Sequence, residues 1–306
     1  MGKLSFRTKK WEQKIQALDA EKDAEEIVSL LIAHVFSLDI FLSTEMAQLR
    51  TFTIPSISKI LHHSRQYEHN SLKRMDDTKA ILGEMGIEGM DSERGKAATE
   101  HLNNIHAFYR ITNDDYLYTL STFIFDPRLW LERFGWRQLT DHEQNALYHR
   151  YRKMGEAMHI QDIPDTWQKL WAWRVAYEKT HQQYDPANTQ VSLGLLNGAS
   201  QMVPPLLKGV MSPITISLFD ANLEANLGLK KPNLLARGLT RAVMQVYRFA
   251  GRFFNLWEED SFVDSKLMTH METYPHGYQL WELGPDNLVK HLYPEKFAHP
   301  VAEGAD

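Results

Sequence analysis

The stretch HLNNIHAFYRITNDD, residues 101–115, places two histidines five positions apart, with Arg110 four positions after the second. A helix advances about 100° per residue, so His101 and His106 lie about 140° apart and cannot both approach one iron from the same side. His106 shares its face with Leu102, Asn103 and Arg110, among Ile105, Phe108 and Tyr109. An imidazole in apolar surroundings suits an axial haem ligand, and a guanidinium one turn later suits a propionate. A lone histidine is nonetheless more often packed against a carbonyl than bound to a metal. His101, next to Glu100, is expected at the surface.

Two other clusters carry chemistry. In KRMDDT, residues 73–78, Arg74, Asp77 and Thr78 fall within one helical turn and predict a polar patch on one face, over a reaction centre or simply in solvent. EAMH and EKTH each place a glutamate three residues before a histidine, Glu156 with His159 and Glu178 with His181. Paired Glu-x-x-His motifs make half of a carboxylate-bridged di-iron site. Glu45 and Glu143 are the candidate further carboxylates, although nothing in their surroundings singles them out.

Composition narrows the classes. The chain has 306 residues, a net charge of −5 and no cysteine. The charge gives no basic field for nucleic acid. The missing thiols exclude disulfides, iron–sulfur clusters and covalent haem attachment. No phosphate-binding glycine loop and no nucleophile elbow occurs. The most apolar run, residues 27–42, is shorter than a bilayer span and contains His34 and Asp39, so it reads as a buried helix. With no targeting pattern at the start, a cytoplasmic protein is expected.

Helical periodicity runs through the rest. Pro55 suits a first helical turn, and Thr140 with Glu143 has capping-box spacing. Asp165 or Thr166 can cap the aromatic segment that follows. A helix over about 94–111 stops at Thr112, and the next is expected to end at Pro127. Trp167, Leu170, Trp171 and Arg174 form one stripe, read as core. The basic amphipathic segment RFAGRFFNLW (248–257) suits a peripheral membrane contact, although packing against the body is the ordinary outcome. No strand alternation stands out.

The order and spacing of QLRTFTIPSISKIL (48–61), RMDDT (74–78), HLNNIHAFYRITNDDYLYTLSTFIFDP (101–127), GWRQLTDHE (135–143), MHIQDIPDTW (158–167) and LEANLGLKKP (223–232) resemble the MpaB-type oxygenases, a family that includes the rubber oxygenase latex clearing protein. The resemblance implies an all-α single domain with a globin-like helical core around noncovalent haem b. It also implies dioxygen as co-substrate and an apolar, isoprenoid or unsaturated-lipid substrate. The family's proximal histidine falls on His106, which makes His106 the iron ligand, with Arg110 and Asn103 in the cofactor-binding set. Its distal arginine and threonine fall on Arg74 and Thr78. Asp77 stands where rubber oxygenases carry lysine, and is grouped with Arg74 and Thr78 as catalytic. On this basis residues 1–20 are a flexible or extra N-terminal segment, 21–285 the oxygenase-like domain and 286–306 a C-terminal tail. A di-iron oxidase and a non-catalytic haem- or lipid-binding protein are the competing readings.

Overall fold

In the computed structural model, which describes residues 2–87 and 89–298, the chain is all-α. α1 (Lys10–Ala17) and α2 (Ala24–Leu30) lead through a π-helical turn, Leu31–Val35, into α3 (Ser37–Thr51). α4 (Pro55–Ser64), α5 (Gln66–His69) and α6 (Ser71–Ile87) follow. Then come α7 (Glu93–His106), α8 (Asn113–Phe134), α9 (Asp141–Ala157) and α10 (Trp167–His181). α11 (Pro186–Gln201), α12 (Lys208–Ser217), α13 (Ala221–Asn226) and α14 (Leu234–Ala250) lie beyond them, and α15 (Lys266–Thr269), α16 (Asp286–Leu292) and α17 (Pro294–Phe297) are short.

Local chemistry sets most starts. Pro55 occupies the first turn of α4. The Thr112, Thr140 and Thr166 side chains accept from the backbone N–H groups of Asp115, Glu143 and Lys169. Thr140 and Glu143 complete the capping box, each satisfying an N–H that the helix itself leaves open.

The apolar run 27–42 is not one helix. It breaks at Phe36, and the two parts are bent by 107°. No single described helix is long and apolar enough to cross a membrane. Ile27, Leu31, Leu49, Leu147 and Val191 are almost wholly buried in the core between α2, α3, α8, α9 and α11.

α8 does not stop at Pro127 but runs through it to Phe134. Proline removes one helical hydrogen bond. Burial of Asp126, Pro127, Trp130 and Leu131 against the rest of the core outweighs that loss. Two polar ties fix α8 to α3. The Trp130 indole donates to Asp39 at 2.8 Å, and the Arg50 guanidinium donates to Asp126 at 2.6 Å.

Residues near the N-terminus, expected to be flexible or additional, are tied to the body. Ser5–Phe6 pairs antiparallel with Phe254–Asn255, the one small β-ribbon among the described residues, and Ile15 is fully buried. The C-terminal tail carries α16 and α17, and its residues 299–306 lie outside the described residues.

The segment 271–293 lies across α6 and α7, and it overturns one expectation. His101 is 3% exposed, not a surface residue. Its Nε2–H donates to the Leu283 carbonyl at 2.7 Å, and its Nδ1 accepts from the Tyr293 hydroxyl at 2.9 Å. Gly284 makes this docking fit: its φ is +125°, and a Cβ there would meet the Ile105 side chain at 2.7 Å.

Candidate functional site

A cavity of about 1200 Å³, counting its open mouth, lies between α3, α4, α6, α7, α8 and α9. Its walls are mainly aliphatic and aromatic, with Leu82, Leu102, Phe123 and Met154 among them. A few polar groups converge on it: Gln48, Tyr67, Arg74, Thr78, His106 and Tyr116.

His106 is the last residue of α7, and its ring packs 5.6 Å from that of Tyr116. Among the described residues neither ring nitrogen has a hydrogen-bond partner, and Nδ1 is enclosed by protein. Burial, with a smaller contribution from the Arg74 charge, pushes the imidazole down to about 4, so it is neutral near pH 7. A neutral imidazole with its one basic-nitrogen lone pair uncommitted, on the wall of an apolar cavity, is the donor that haem iron takes. Nearly all buried polar groups find a partner, so an orphaned imidazole here is consistent with a ligand site. His106 therefore fits the group that the family resemblance implies.

Arg74 and Thr78 form a second polar element, on α6. The Arg74 guanidinium donates to the Thr78 hydroxyl at 2.7 Å, and that hydroxyl donates to the Arg74 carbonyl at 2.8 Å. Among the described residues Arg74 forms no salt bridge and donates to no partner but Thr78, so its remaining N–H groups are uncommitted on the cavity wall.

Three of the expected site residues lie elsewhere. Asp77 is buried but does not line the cavity. It accepts from Lys73 Nζ at 3.1 Å and from the Tyr274 hydroxyl at 2.5 Å, and burial pushes its carboxyl up. One residue of offset turns the side chain by about 100°, so α6 shows Arg74 and Thr78 to the cavity and Lys73 and Asp77 to the C-terminal segment. Arg110 is exposed and does not line the cavity, because α7 ends at His106 and the expected helical register is lost before residue 110. The Asn103 amide donates to the Ala157 carbonyl at 3.1 Å and also lies off the cavity wall.

The di-iron arrangement does not assemble. α9 ends at Ala157, and His159 follows with a φ of +61°, so the Glu156–His159 spacing is not helical. Glu156 pairs with Arg152, and Glu178 with Arg174 and the Tyr118 hydroxyl. Glu143 is held by Arg137 and its own helix cap. Among the described residues, no group of three or more histidines and carboxylates is placed to hold a metal ion.

Two cavity residues carried no role in the sequence reading. The Gln48 side-chain oxygen is buried without a partner, and Arg74 lies over the Tyr67 ring at 5.8 Å. Gln48 falls within one of the family-like stretches, but only the fold shows that it faces His106's cavity while Arg50, two residues on, turns away into the core.

Glu45, also on α3, makes no hydrogen bond. Burial pushes its carboxyl up to about 7, offset only partly by Lys79. The folded state therefore keeps this proton longer than the unfolded chain does. The stability it contributes is full below the ordinary glutamate range and falls as pH rises toward 7. Glu45→Gln is expected to be more stable than the parent at pH 8, on the order of 2 kcal/mol after discounting for residual exposure, and close to it at pH 4. Urea unfolding at the two pH values measures this; an equal difference at both would remove Glu45 as the cause.

Known proteins are similar to the chain over the region that forms the cavity. Residues 40–249 match the family described as ER-bound oxygenase mpaB/B'/Rubber oxygenase, catalytic domain, a range that holds all of the cavity-lining residues. The chain is 25% identical over 231 residues to ER-bound oxygenase mpaB' of Penicillium brevicompactum, covering 70% of this chain and 55% of that protein. It is 30% identical over 166 residues to ER-bound oxygenase mpaB of the same organism, covering 48% and 42%. A third relative, ER-bound oxygenase mpaB of Penicillium roqueforti (strain FM164), is 33% identical over 122 residues, covering 38% and 41%. The chain thus spans about half the length of these curated relatives. With the family match extending over more than half of its residues, the chain belongs to the mpaB and rubber oxygenase catalytic-domain family.

Proposed function

We propose that this chain is a haem b-dependent oxygenase that acts with dioxygen on an apolar, unsaturated substrate of isoprenoid or lipid type. The observation that carries the reading is the half-buried, neutral His106, whose enclosed Nδ1 has no hydrogen-bond partner among the described residues, on the wall of an apolar cavity that also holds Arg74 and Thr78. Haem b, when bound, supplies the dioxygen-activating chemistry.

The chain's own residues have separate tasks. His106 offers a neutral nitrogen and needs no proton removed near pH 7. The aliphatic walls exclude water and hold an apolar chain. Thr78 fixes the Arg74 guanidinium, so that its free N–H groups can meet an oxygen that gains negative charge, at little reorganisation cost. Asp77, held by Lys73 and Tyr274, positions the C-terminal segment on α6 and does not line the cavity.

The test is haem reconstitution. Purified protein supplied with haemin is expected to give a Soret band at one haem per chain, and the reduced form is expected to consume dioxygen with unsaturated isoprenoids or lipids. Protein that gives no Soret band overturns the reading. Arg74→Ala is expected to retain haem and lose turnover by about a hundredfold, the usual scale for one preorganised donor. Loss of the haem itself in that variant would make Arg74 a cofactor contact.

A further inference from the structure

α14 is amphipathic in the wrong sense for a helix packed on a core. Of its residues only Thr240 is buried, with Met244 and Tyr247 along the same inward edge. Leu235, Leu239, Val243 and Val246 recur at helical spacing on one flank and are 80, 65, 57 and 68% exposed. Exposed Phe249 and Phe253, whose rings meet edge to face, extend this flank beyond the helix. The segment expected to pack against the body therefore turns its aromatic side outward. α12 packs beside α14 and adds exposed Val210 and Ile214, and the 3-10 turn before it, Pro205–Leu207, adds exposed Leu206 and Leu207. Exposed apolar side chains gathered on two adjacent helices mark a candidate interaction site.

The charge on this part of the chain identifies the partner. Residues 201–219 and 230–257, which contain α12 and α14, hold seven lysines and arginines and no aspartate or glutamate, in a chain of net charge −5. Among the described residues, Lys208, Lys230, Arg241, Arg248 and Arg252 form no salt bridge. Glu224, in the α13 helix between the two stretches, pairs with Lys231 and Arg237; the five remaining cations, in an otherwise acidic protein, are complementary to an anionic surface. They are not complementary to a second copy of this chain at the same face, where cation would meet cation. A helix with Leu, Val and Phe on one side, arginines on the other and no carboxylate has the pattern of a helix lying in a lipid headgroup layer. The long arginine side chains can keep their apolar stems along the protein while their heads reach phosphate.

We propose that α14, together with the exposed end of α12, is an interfacial membrane-binding surface for anionic phospholipid. Leu235, Leu239, Val243, Val246 and Phe253 enter the headgroup–acyl boundary, and Arg241, Arg248 and Arg252 meet lipid phosphates. This surface is independent of haem binding.

The test is flotation of the full chain with vesicles of phosphatidylcholine alone and of phosphatidylcholine with phosphatidylserine. Wild type is expected to float with the phosphatidylserine vesicles and to be released by salt. Leu239→Asp/Val246→Asp is expected to bind about a hundredfold more weakly. Arg241→Glu/Arg252→Glu is expected to lose the preference for phosphatidylserine. Both pairs of residues are solvent-facing, so both variants should keep the wild-type circular dichroism and melting temperature. The proposal is overturned if wild type floats with neither vesicle, or if the aspartate variant binds as wild type does. A dimer that Leu239→Asp/Val246→Asp dissociates, with no vesicle binding by wild type, would assign the face to a second copy instead.

Discussion

His106→Ala is expected to abolish stable haem binding while leaving the helical fold intact. If loss of an outer-shell partner to a metal-bound histidine typically weakens metal affinity ~10–100-fold, loss of the ligand itself should exceed about a hundredfold. The side chain is not a keystone of the core. It makes no hydrogen bond, and its ring borders a cavity, so truncation leaves no polar partner stranded. Wild-type and variant apoprotein should then have similar far-ultraviolet circular dichroism, whereas the Soret band after haemin addition should appear only in the wild type. Added imidazole, which can enter the enlarged cavity, should partly restore the band. An unchanged Soret band in His106→Ala would place the ligand elsewhere. Failure of imidazole rescue together with altered circular dichroism would show a structural role for the ring.

The largest effect on stability is expected far from that nitrogen. Asp126 is 2% exposed and accepts from Arg50 at 2.6 Å and from Arg174 at 2.8 Å. Arg50 also reaches Asp220 at 2.5 Å, and Arg174 reaches Glu178 at 3.0 Å and the Ser121 carbonyl at 3.3 Å. The network links α3, α8 and α10 and the start of α13. Asp126→Ala would leave two buried guanidiniums each short of a carboxylate. Breaking one partner out of a buried ion network costs about 3–5 kcal/mol, a large share of the roughly 5–15 kcal/mol that holds a domain folded. Urea unfolding should show a midpoint lowered accordingly. A loss under about 1 kcal/mol would mean that solvent reaches the guanidiniums when the carboxylate goes. Since α3 and α8 also line the cavity, any fall in haem affinity in Asp126→Ala should track its stability, unlike that of His106→Ala.

The sequence alone determined what depends on near neighbours. Pro55, Thr112, the Thr140–Glu143 box and Thr166 set helix starts because each satisfies, or dispenses with, an N–H within three residues. Helical spacing set Arg74 and Thr78 on one face and separated His106 from His101. The resemblance in the ordered motifs supplied the family. Tertiary structure decided what depends on residues far along the chain. His101 is buried because residues 283 and 293 come to it, and Asp77 is turned from the cavity because Tyr274 receives it. Arg110 fell outside because α7 ended one turn sooner than periodicity suggested, a stop that no glycine or proline marks. The buried arginine network was hidden because an Arg174 on an aromatic stripe looks the same whether its partner is solvent or Asp126. Periodicity shows that α14 has an apolar flank. Only the packed molecule shows that nothing among the described residues covers it, because a helical pattern records the angle between side chains and not the body that meets them.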